Sequence, residues 1–182
     1  LGGAGFEKVS EALGFETYVV KPEDEKYFGD SRATKGGEIT IGEMTFPSTF
    51  RPEGQNSSLT VNTEIKGYIY ETLLGQHPIT REYMPSLASH WKISPDKKTF
   101  TFRIDPNARW SDGKPVVAQD VVSTWKIMVD PGILEPSANL VYGKFEQPVA
   151  LSKYLVQVQC KSVNFRNLLY FGNSMIIYPD HE

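Results

Sequence analysis

Asn107-Ala108-Arg109-Trp110-Ser111-Asp112-Gly113-Lys114-Pro115-Val116-Val117-Ala118-Gln119-Asp120-Val121-Val122 reads as a tight turn running into a helix. Asp112-Gly113 is turn chemistry, with glycine free to take a positive φ. From Pro115 the spacing becomes helical. Val121, Val122, Trp125, Met128 and Val129 follow the i, i+3/i+4 rule until Pro131-Gly132 ends the run. Asp120 falls in the first turn of this helix, where a carboxylate meets the positive end of the helix dipole.

Upstream the period changes. Trp91-Lys92-Ile93-Ser94 and Thr99-Phe100-Thr101-Phe102-Arg103-Ile104 both alternate around Pro95-Asp96-Lys97-Lys98, which predicts a β-hairpin. Phe100, Phe102 and Ile104 share one face, so that side is expected in the core and the other in water. Val61, Ile65, Ile69 and Leu73 fall four apart and predict a helix. It would be capped by Ser57 or Ser58, run to about Leu74 and close at Gly75. Glu38 to Met44 alternates like a half-buried strand after Gly36-Gly37. Before it, Lys21 to Gly37 reads as an extended surface lead-in, with a helical turn or two over Phe6 to Leu13.

Downstream of the central helix, residues 130 to 143 hold two prolines and two glycines and are expected as a loop. Lys144 to Leu151 and Tyr154 to Cys160 predict two strands joined at Ser152-Lys153. A short helix over Asn164 to Phe171 and a last strand over Ser174 to Tyr178 complete the order. It is a mixed α/β (α+β) arrangement, without the regular alternation of βαβ units.

Composition narrows the function classes. The chain has 182 residues, 40% hydrophobic and 23% charged, which is globular. A net charge of -3 argues against a nucleic-acid partner, whose footprint would be basic. No apolar window is long enough to span a membrane. Leu1 to Phe6 lacks the basic and apolar regions of a signal peptide. Cys160 is the sole cysteine, so no disulfide forms within the chain, and its place in an alternating run predicts a small buried apolar role. His77, His90 and His181 are scattered without metal-ligand spacing and read as surface histidines, so no metal or cofactor is implied. Glu23-Asp24-Glu25 reads as solvated surface. A carbohydrate hydrolase using Asp112 or Asp120 is an alternative, but turn and helix-end roles account for both, and no catalytic residue is assigned.

The pattern as a whole resembles one family. Pro85, Leu87, Ala88 and Trp91, then Ala108, Trp110, Ser111, Asp112, Gly113, Pro115, Val116, Ala118, Asp120 and Val121, match the stretch "P-x-L-A-x-x-W … A-x-W-S-D-G-x-P-V-x-A-x-D-V". That string is similar to extracytoplasmic solute-binding proteins of the peptide/oligopeptide class, bacterial solute-binding protein family 5. Lys35 to Ile39, Tyr70 to Leu74, Asn164-Phe165 and Ile176 to His181 extend the likeness, while Thr72 stands where the family often has glycine. Of the matched residues, Trp91, Trp110, Asp112, Gly113, Pro115 and Asp120 read as structural.

The resemblance implies a periplasmic-binding-protein-like fold of which this chain is an N-terminal part. Residues 1–69 would be lead-in and partial ligand-binding lobe I, 70–172 a small extra α/β domain with β-hairpins and packed helices, and 173–182 a return toward lobe I. It implies the substrate-binding component of an ABC importer, not an enzyme. Such a protein takes a peptide or similar small solute in a closing cleft and delivers it to the permease. Its location would be periplasmic, or extracytoplasmic and membrane-anchored. Ligand contacts would come from Ser58, Leu59 and Thr60 before the first helix and from Ser137 after the Trp125 helix. Helix capping is the competing role for Ser58, and a place in a polar loop for Ser137. Other members carry nickel complexes or sugars, so the solute stays open. A part of a larger fold would also self-associate through the surface that its missing lobes leave bare. The alternative is a stand-alone β-rich interaction module.

Overall fold

A computed structural model describes residues 14–30, 32–34 and 36–181. The helical turn expected over Phe6 to Leu13 lies outside the described residues, as does Lys35. The centre is a four-stranded antiparallel sheet in the order β3-β4-β6-β5. Its strands are β3 (Ala88–Ile93), β4 (Thr99–Ile104), β5 (Val149–Ser152) and β6 (Leu155–Gln159). The predicted hairpin is present: Trp91 faces Phe102 and Ile93 faces Phe100 across β3 and β4. Its turn is tied by Ser94 and Asp96, whose side chains take the amides of Thr99 and Lys98.

The wet face expected for β4 is not found. Thr101 and Arg103 are buried along with Phe100, Phe102 and Ile104. β4 is a central strand paired on both sides, and its second face is closed by polar side chains that bond one another. The Arg103 guanidinium donates to Ser89 Oγ, and Gln157 Nε2 donates to Thr101 Oγ1 at 3.2 Å.

Helix α1 (Thr60–Ile69) is shorter than its spacing suggests. Tyr70 is already extended, and Leu73 and Leu74 turn into the core with no exposed surface. Gly75 is therefore not a helix end. It lies in β1 (Leu74–Gln76), which pairs with β2 (Tyr83–Pro85). The four-residue spacing runs past the helix because Leu73 continues the apolar series although it lies in the extended segment that leads into β1. Glu38 to Met44 forms no strand: Ile39 is 87% and Met44 100% exposed, and no described residue pairs with the segment.

Helix α2 (Ala118–Val129) packs on β5 and β6 and buries Val121, Val122 and Met128. Residues 130 to 143, expected as a loop, hold a 3-10 turn (Pro131–Ile133) and α3 (Pro136–Tyr142). Pro136 at the first helical position starts that helix, since its missing N–H would be unpaired there anyway. The first strand expected after it is confined to Val149–Ser152, with Phe145 bridging Cys160 on its own.

The turns predicted from Asn164 begin regularly only at Asn167 and wind as a π-helix over Leu169–Ser174. Gly172 permits that packing, because a Cβ there would lie 3.0 Å from Leu74 Cδ1. Beyond it, the expected strand is reduced to one antiparallel bridge between Thr72 and Ile176. Phe171 closes the core against Phe102 and Phe145 at ring distances of 5.9 and 5.2 Å. Cys160 is buried, and burial pushes its thiol up to about 11. Among the described residues no helix is long and apolar enough to cross a membrane.

Candidate functional site

The loop before α1 and the segment after α2 are brought together. Gly54 takes φ +102°, and its N–H donates to the Glu135 carboxylate at 2.8 Å. The next amide, of Gln55, donates to the Ile133 carbonyl at 3.1 Å. Ser57 Oγ reaches the same Glu135 oxygen at 3.5 Å. Glu53 then points the other way. It accepts from Lys66 Nζ on α1 at 2.9 Å and from the Tyr178 hydroxyl at 2.6 Å. Burial, with Glu53 beside it, pushes the Tyr178 phenol far above its ordinary range, so it stays a donor. Burial raises Tyr142 in the same way.

These groups wall an open cavity of about 300 Å³, lined by Glu53, Lys66, Glu135, Ser137, Tyr142 and Tyr170 among others. Carboxylates, an ammonium, a hydroxyl and two aromatic rings in one recess suit a small polar ligand with an apolar part. Among the described residues no group of three or more His, Cys, Asp and Glu side chains could hold a metal ion.

Ser137 lines this recess, but from the first turn of α3 instead of a loop. Ser58, Leu59 and Thr60 are exposed at the start of α1, outside the lining. Leu59 holds the N-cap position, with no side-chain cap, and the buried serine that makes the loop contact is Ser57. The sequence assigns no ligand contact to Glu53, Lys66, Glu135 or Tyr178. They are 13 to 125 residues apart in their contacts, and charged residues in loops ordinarily face water, so nothing local marks them.

The signature segment is a scaffold that does not line this recess. Gly113 takes φ +86°, Asp112 accepts the Lys114 amide at 2.9 Å, and Arg109 bridges Pro115. Asp120, 2% exposed, receives the Val117 amide at 2.8 Å, the Trp110 indole N–H at 3.2 Å and the Asp180 amide at 2.9 Å. Trp91 is buried in the core. A second cavity, of about 350 Å³, lies behind the turn between Tyr70, Glu71, Arg109 and Trp110. Of the histidines, His181 is exposed and bonds Asp112, His90 is half-buried, and His77 has no exposed surface, against the surface role expected for it.

The comparisons with known proteins give the family and the fold. Residues 82–182, more than half of the chain, match the model of the bacterial extracellular solute-binding proteins, family 5 (middle region), and the chain belongs to that family. The dipeptide-binding protein DppE of Bacillus subtilis is 47% identical over 117 residues, covering 62% of this chain and 20% of that protein. The periplasmic murein peptide-binding protein MppA of Escherichia coli is 43% identical over 70 residues, 38% of this chain and 13% of its own. The chain therefore spans a fifth or less of these relatives.

Among solved structures, Haemophilus influenzae OppA in complex with RPPGFSPFR superposes with a TM-score of 0.64 at 24% identity, over 74% of this chain and 29% of that one. NikA of Brucella suis in complex with Fe(III)-EDTA superposes at 0.60 and 17% identity, over 74% and 26%. The fold is that of part of a periplasmic binding protein.

Proposed function

We propose that this chain is part of the substrate-binding component of an ABC importer, which captures peptides outside the membrane and delivers them to the permease. Membership of family 5 carries this reading. Peptides are favoured over metal chelates because relatives above 40% identity include proteins named for dipeptide, oligopeptide and murein-peptide binding, whereas the NikA likeness is one of fold. In this reading the recess at Ser137, Glu53 and Lys66 is this chain's share of the ligand wall, with Ser58, Leu59 and Thr60 at its margin. Residues 1–69 and 173–182 belong to the ligand-binding lobe and 70–172 to the small extra domain. Asp120 takes a structural role, since both of its oxygens are engaged in holding backbone and indole donors.

The test is native mass spectrometry of the full-length protein purified without denaturation, before and after incubation with a defined mixture of di- to pentapeptides. Bound peptide masses that exchange with the mixture are expected. Failure to take up any peptide, with uptake of a sugar or metal chelate instead, would overturn the peptide assignment.

A further inference from the structure

We propose that residues 14–28 form a detachable latch over the outer edge of the sheet, with the His77 ring as its catch. β3 ends the four-stranded sheet, so its outer backbone groups would be open to pairing with another chain. The latch closes that edge. Glu16 and Trp91 exchange both backbone hydrogen bonds, at 2.6 and 3.0 Å, and Thr17 Oγ1 donates to the Ser89 carbonyl at 2.9 Å. The chain then turns back through the 3-10 helix Pro22–Tyr27.

That return sets three rings around His77. Tyr18 lies 6.1 Å from it, Tyr27 5.9 Å and Phe28 5.4 Å, the last two edge-on. The imidazole itself is held by the body of the protein. Its Nδ1 accepts the amides of Ile79 and Thr80 at 3.2 and 3.1 Å, which leaves the proton on Nε2. Among the described residues Nε2 has no hydrogen-bond partner, and it faces the Asp24 carboxylate at 3.7 Å. A polar ring anchored on one element is thus sealed from water by another.

The sealing element is weakly held. No residue from 14 to 30 is fully buried, which places the segment at the low end of local stability. The chain leaves it through Gly29 at φ +134° and reaches Gly36 and Gly37 at +118° and +92°, with no described residue within 4 Å of where a Cβ would stand on any of the three. These glycines absorb the backbone rotation that opening needs. Opening would bare the β3 edge and His77 together while the core stays folded.

Amide hydrogen exchange of the full chain tests this, with Glu16 and Trp91 reporting the latch and Ile104, bonded to Tyr154 at 2.8 Å, reporting the core. Glu16 and Trp91 should exchange at one common rate, faster than Ile104. Phe28→Ala should speed both by about tenfold and leave Ile104 unchanged. His77→Ala should do the same, and because it also disturbs its own turn, Phe28→Ala is the deciding variant. Latch amides that exchange only in step with Ile104, that exchange at unrelated rates, or that ignore Phe28→Ala would overturn the proposal.

Discussion

Asp120 shows how much one carboxylate can organise. Its oxygens hold the start of α2, the indole of Trp110 and the backbone of Asp180, 60 residues away. Replacing it with alanine leaves three donors without their acceptor, two of them backbone amides. Asp120→Ala should lower stability by about 3 kcal/mol, read as a lower urea midpoint at unchanged slope. Asp112 acts more locally. The Lys114 amide, then the Lys114 and His181 side chains, hold its carboxyl down at about 2. A depressed carboxylate favours the fold above its unfolded value, near pH 4, and that contribution disappears as pH falls toward 2. Asp112→Asn should therefore remove part of the acid sensitivity in that window and change little at pH 7, as unfolding midpoints measured across pH would show. Both residues stood out in the sequence, and their local turn and helix-end roles could be read there. The reach of Asp120 to Asp180 could not, because it depends on where the chain returns.

At the scale of elements, the loop at Gly54 decides whether the recess exists. A Cβ on Gly54 would sit 2.8 Å from the Ile133 carbonyl oxygen, on a backbone already at φ +102°. Gly54→Ala should cost about 2 kcal/mol. It should also separate the loop from Glu135, seen as a lower thermal midpoint together with faster exchange at the Gln55 amide. Elements whose apolar period ended at a turn signal were legible: the β3–β4 hairpin, α2 and β6. The misreadings share a cause. Leu73 prolonged the α1 period, Ile39 and Ile41 imitated a strand, and the prolines and glycines of 130–143 hid α3. In each case the outcome was set by a partner elsewhere, present for Leu73 and absent among the described residues for Ile39.

Across the whole molecule, one surface is apolar beyond what scattered residues explain. Phe50 and Ile69 border one hollow beside α1, Tyr68 is 76% and Phe46 86% exposed, and Phe46 stacks edge-on with Phe50 at 6.0 Å. The chain should self-associate through this surface. Sedimentation velocity should show mass rising with concentration, and Phe46→Ser with Ile69→Ser should reduce it; a monomer at all concentrations would contradict this. Family, composition class and the hairpin–turn–helix scaffold follow from short-range pattern, because turn chemistry and apolar spacing act within a few residues. The recess at Glu53, Lys66, Glu135 and Ser137, the burial of His77 and the two-sided burial of β4 were settled only by folding. Those depend on which distant segments meet, and a side chain's burial and charge partners are properties of that meeting.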